Sequence, residues 1–137
     1  MAAKHDEDFM AALRRCSLTD GMDEAGLRAF LASGDVRRLS FPKGAAILRE
    51  GETLRAIYIL LSGSVQILKN TFSGRRILLS EIDEPGDMFG EVYFVLREPC
   101  GMTVEAVPYR PVSCAGTGTG SIARATRRWK ALGAFGA

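Results

Sequence analysis

The stretch Phe89-Gly-Glu-Val-Tyr-Phe-Val-Leu-Arg-Glu-Pro-Cys-Gly-Met-Thr-Val-Glu-Ala106 decides the fold, and the residues before it supply the frame. Upstream lie short β-prone runs: Val36 to Phe41, Ala45 to Leu48, Ile57 to Leu61, Ser64 to Lys69 and Arg76 to Ile82. Between and after them come Pro42-Lys43-Gly44, Glu50-Gly51-Glu52, Ser62-Gly63, Ser73-Gly74 and Pro85-Gly86-Asp87, each with the glycine that a turn needs for positive φ. Val65 and Ile67 alternate with Gln66, as in a strand with one wet face, whereas Ile57 to Leu61 is apolar throughout and is expected to lie deeper. Such spacing predicts a mainly β chain with flanking helices, folded as an antiparallel, jelly-roll-like β-roll of two packed layers.

Further toward the N terminus, Phe9, Leu13 and Cys16 share one face of a short helix, and Leu27, Phe30 and Leu31 mark a second. Asp23 and Glu24 favour the start of the second helix, and Ser33-Gly34 supplies its stop. The 137 residues, 47% hydrophobic and 25% charged, suffice for one core. No apolar run is long enough to span a bilayer, and the opening residues are polar and acidic rather than signal-like, so a cytoplasmic protein without membrane association is expected. Cys16, Cys100 and Cys114 are odd in number and far apart, which suits reduced thiols and no metal set. The sole histidine, His5, lies in the charged leader, and no nucleophile-and-base pair stands out. No catalytic residue is therefore assigned, and a metal enzyme on a related roll, such as a cupin, lacks the clustered histidines it would need.

The stretch 89–106 resembles the phosphate-binding cassette of cyclic-nucleotide-binding domains, as found in Crp/Fnr-type transcription regulators. Phe89-Gly90-Glu91, Pro99, Thr103-Val104 and Ala106 match that cassette, after a fitting Pro85-Gly86-Asp87. Lys43-Gly44, Glu50-Gly51, Leu61-Ser62-Gly63-Ser64-Val65 and Ser73-Gly74-Arg75 resemble the family's glycine frame, and Cys16-Ser-Leu-Thr-Asp-Gly21 its leader turn. The resemblance implies a small-molecule effector, a cyclic nucleotide or another, bound around Phe89, Gly90, Glu91, Val92, Tyr93, Cys100, Gly101 and Thr103. In such a cassette a short helix offers unpaired N–H groups to a cyclic phosphate. By resemblance Glu91 accepts from a ribose hydroxyl, and an arginine after the proline pairs with the phosphate. Cys100 stands in that arginine's place, and Tyr93 where the family prefers a small residue, so tight cyclic AMP binding is not expected. Arg97, three residues before, is the one nearby substitute. Glu91 has a plainer reading as a cap on backbone N–H groups, and Cys100 as a small filler rather than a redox thiol or haem ligand. Phe89, Tyr93 and Phe94 either line an apolar effector pocket or complete the core.

The resemblance covers about residues 8 to 107, giving a helical leader over 1–22, the roll with its preceding helix over 23–107, and an irregular tail over 108–137. All sixteen acidic residues precede Val112, whereas Arg124, Arg127, Arg128 and Lys130 follow it, so the basic balance belongs to the tail and defines no nucleic-acid face. Arg127-Arg128-Trp129-Lys130 is read as solvated. Members of the family continue with a closing strand, a long dimerisation helix and a helix-turn-helix that reads DNA. None is recognisable after Ala106, which suggests an out-of-frame or truncated end. The main functional expectation is the effector-sensing domain of such a regulator, a homodimer in the family, with DNA contacted only through the absent helix-turn-helix. A stand-alone ligand-binding module acting through a protein partner is the second.

Overall fold

The computed structural model describes residues 2–16, 23–32 and 36–118. Helix α1 (Ala2–Arg15) and helix α2 (Glu24–Ala32) precede β1 (Val36–Phe41), β2 (Ala46–Leu48), β3 (Ile57–Ser62), β4 (Val65–Asn70), β5 (Arg76–Ile82) and β6 (Met88–Phe89). Helix α3 (Glu91–Leu96), β7 (Thr103–Ala106) and β8 (Val112–Thr117) complete the described chain. The strands form two four-stranded antiparallel sheets, ordered β1-β8-β3-β6 and β2-β7-β4-β5, which is the two-layered β-roll the turn spacing predicts.

Two apolar clusters explain why β3 is apolar from Ile57 to Leu61. Ile57, Ile59 and Leu61 pack with Phe9, Met10, Leu13 and Cys16 of the first helical segment and with Leu27 and Phe30 of α2. Leu60 joins Ile47, Val65, Phe89, Val104 and Cys114 in a second cluster drawn from both sheets. Successive residues of a strand point to opposite sides, so a strand covered on both faces needs an unbroken apolar run. The Asp23 carboxylate accepts the Gly26 N–H at 2.8 Å, starting α2 as expected from its acidic onset. The side chains of His5 and Leu31, with Ser17 to Gly21, Ser33-Gly34 and Arg127 to Lys130, lie outside the described residues.

One boundary needs correction. Residues 112–117, assigned from sequence to an irregular tail beginning at 108, form β8, an interior strand paired with β1 on one side and β3 on the other. The closing strand is therefore present, and the roll runs to Thr117. Its middle, Ser113 to Gly116, lacks the bulky β-branched look of a strand because the space is tight. A Cβ on Gly116 would stand 3.2 Å from Leu39 Cδ1, and Cys114 and Ala115 are fully buried. The buried Thr117 hydroxyl donates to the Ile57 carbonyl at 3.1 Å. Two further departures are local: a register shift between Ile67 and Leu68 breaks the alternation on β4, and Ile77, Leu78 and Leu79 on the edge strand β5 are exposed.

Candidate functional site

The cassette wraps one end of the second cluster. β6 ends at Phe89, whose ring stacks on Tyr58 with centroids 5.4 Å apart. Gly90 then turns the chain with φ 82°, and a Cβ there would lie 2.7 Å from Leu54 Cδ2 and 3.0 Å from Leu48 Cδ1. Only glycine combines that backbone with that proximity. Helix α3 follows for six residues and ends at Arg97 in the left-handed conformation. Backbone bonds then pin Cys100: its N–H donates to the Glu52 carbonyl and its carbonyl accepts from the Gly51 N–H, both at 2.7 Å.

A cavity of about 120 Å³ opens between α3 and the sheets, lined by Phe89, Gly90, Glu91, Val92, Tyr93 and Cys100, with Met88, Met102, Ile67, Ile82 and Val104 behind them. Six of the eight residues expected at a ligand site thus meet at one place. The other two do not line it. Gly101 makes room for the Tyr93 hydroxyl, which lies 2.9 Å from where a Cβ would be. The Thr103 hydroxyl accepts the Glu50 N–H at 3.3 Å. Phe94 packs against the helical cluster instead. The five backing residues escaped the sequence reading; Ile67 and Val104 become neighbours through β4–β7 pairing, which no local pattern encodes.

Glu91 is the sole charged residue among those lining the cavity. Burial pushes its carboxyl above the ordinary 4.5, opposed by a hydrogen bond with its own backbone, and the Gly90 turn makes no side-chain cap. Because the folded form holds its proton to higher pH than the unfolded chain, Glu91 contributes stability below about pH 4.5 that is lost as pH rises through the folded value. Glu91→Gln is expected to gain stability over the wild type on going from pH 4 to pH 7, a trend that urea titrations at both values would check.

Cys100 is 2% exposed, and its thiol donates to the Met102 carbonyl at 3.0 Å. Burial pushes it above the ordinary 9.0, a backbone bond with Met102 works the other way, and the charges of Glu52 and Glu50 add to the rise. Buried Cys114 is pushed up to about 12. Neither has the electropositive setting of a reactive thiolate, so the filler reading of Cys100 fits its surroundings. Arg97 is exposed and does not line the cavity. Lys69 reaches the cassette from outside, donating to the Gly101 carbonyl at 3.2 Å with its Nζ 3.9 Å from Glu50. Among the described residues, three or more His, Cys, Asp or Glu side chains nowhere gather as a metal would require, and no helix is long and apolar enough to cross a membrane.

This roll, with a glycine-turned cassette beside a cavity, has the architecture of a small-molecule-binding domain. Residues 38–115 match the model of the cyclic nucleotide-binding domain family, and the chain belongs to that family. The match extends through most of β8, in keeping with the corrected boundary. The chain is 34% identical over 80 residues to the CRP-like cAMP-activated global transcriptional regulator of Mycobacterium tuberculosis, across 58% of this chain and 34% of that one. It thus spans about a third of that regulator's length. The regulatory domain of Toxoplasma gondii PKA, solved with cAMP, superposes with a TM-score of 0.77 at 26% identity, covering 96% of this chain and 49% of the other. The sensor domain of the Pseudomonas aeruginosa transcriptional regulator DNR shares the fold at 24% identity, with a TM-score of 0.72 over 93% of this chain and 81% of that domain.

Proposed function

We propose that this chain is the effector-sensing domain of a Crp/Fnr-type transcription regulator, and that its cassette binds cyclic AMP weakly. The observation that carries this reading is the site's charge. Where the cassette would place an arginine on the phosphate stands a buried, hydrogen-bonded Cys100, and none of the lining residues is a cation. An anionic phosphate half-buried without a charge-assisted partner loses about 2 to 5 kcal/mol, or roughly thirty- to several-thousand-fold in affinity. α3, at six residues, is too short for its aligned peptide dipoles to make up that loss.

In this reading promoter binding and dimerisation belong to the helix-turn-helix and long helix of such regulators. Free thiols suit the reducing cytoplasm in which such regulators work. Amide chemical shifts recorded during titration with cyclic AMP test the site. Weak, saturable shifts at millimolar ligand, concentrated in residues 88–104, are expected. Shifts centred elsewhere would overturn the assignment.

A further inference from the structure

We propose that the cassette cavity is built for a small, non-anionic ligand, an apolar body bearing an ammonium or hydroxyl group that Glu91 accepts. The inference rests on the reading of the cassette as an effector site and names the ligand class that site takes.

Size sets the first limit. At about 120 Å³ the cavity falls well below the roughly 300 Å³ at which drug-sized ligand sites begin. An apolar cavity of about 150 Å³ accepts a benzene ring, so a single ring or short branched chain fills this space, whereas a nucleoside would extend out through its open side. Tyr93 helps to hold the space small, because Gly101 leaves room for its hydroxyl beside the cassette's return strand.

Chemistry sets the second. Ile67, Ile82, Met88, Met102 and Val104 give an apolar wall, and half-buried Glu91 is the one acidic residue among those lining the cavity. Among the described residues Glu91 has no salt-bridge partner. Lys69, held by the Gly101 carbonyl and Glu50, and Arg97, exposed at the end of α3, are not among the lining residues. Glu50 and Glu52 lie close enough to Cys100 for their charge to raise its thiol, and Lys69 is engaged with Glu50. A desolvated carboxylate in an apolar cup favours a cationic or neutral donor and repels an anion.

Benzylamine, benzyl alcohol and benzoate share a body and differ in charge, and titrating each into the intact chain, with cyclic AMP alongside, separates the possibilities. Shifts in residues 88–104 are expected to saturate in the order benzylamine, then benzyl alcohol, with benzoate about ten- to a hundredfold weaker than the amine. Glu91→Gln is expected to abolish the preference for the amine over the alcohol while retaining alcohol binding, with native amide dispersion confirming the fold. Benzoate or cyclic AMP binding as tightly as benzylamine would overturn the charge rule while leaving the site in place. If neither cyclic AMP nor any of the three probes moves the cassette, both this inference and the effector-site reading fail.

Discussion

Cys100→Arg is expected to tighten cyclic AMP binding by about thirtyfold or more over the wild-type chain, approaching a thousandfold if the guanidinium reaches the phosphate squarely. The backbone at position 100 is pinned by its two 2.7 Å hydrogen bonds to the Glu50–Glu52 turn, so a side chain there is aimed consistently. Arginine must also displace a thiol that is 2% exposed, and forcing a longer side chain into packed surroundings costs about 1 to 3 kcal/mol in the free protein. Glu50 and Glu52 partly offset that cost, and by attracting the guanidinium they compete with the phosphate. The variant should therefore unfold more easily alone and be rescued by ligand, which calorimetric titration and melting with and without cyclic AMP would reveal together. Native fold with unchanged affinity would mean that the small size of the cavity, and not the missing charge, limits nucleotide binding.

Gly63→Ala is expected to destabilise the native fold severely, whereas Gly74→Ala should be tolerated. Both glycines have positive φ, 90° and 84°, and an L-residue in the left-handed region pays roughly 1 to 2 kcal/mol. At Gly74 nothing lies within 4 Å of an added Cβ, so that is the whole cost. At Gly63 the Cβ would sit 2.3 Å from the Pro111 carbonyl oxygen and 3.0 Å from Val112 Cα, backbone atoms at the entry to β8. Relieving the collision displaces the interior strand that both β1 and β3 need. The loss should exceed about 4 kcal/mol, a large part of a small domain's total stability. Urea midpoints of the two variants beside the wild type would measure the difference; equal midpoints would contradict the tight turn-to-strand contact.

The contrast between these glycines also marks what could be read from the chain alone. Gly44, Gly51, Gly63, Gly74 and Gly86 stand out in sequence as turns, and all five have positive φ. β1 and β5 fall within their expected bounds because bulky β-prone residues meet glycine or proline at the edges. β8 was illegible for the opposite reason: burial against Leu39, Tyr58 and the helices selects Cys, Ala and Gly, and small residues carry little strand preference. β6, at two residues, is too short for any periodic signal.

At the site, Phe89, Gly90, Glu91 and Cys100 were legible because they are close in sequence and carry the cassette pattern. The apolar wall was not, since Ile67, Ile82 and Val104 reach the cavity only through pairings across tens of residues. The exposure of Ile77, Leu78 and Leu79 is equally invisible locally, because an apolar run on an edge strand reads like one in the core.

Calorimetric titration of the wild-type chain with cyclic AMP tests the central claim most directly. A cassette without its phosphate partner predicts binding weakened by roughly thirty- to several-thousand-fold, with no saturation at micromolar ligand. Saturable, submicromolar binding would contradict it, and would require a cation other than one at position 100 to meet the phosphate.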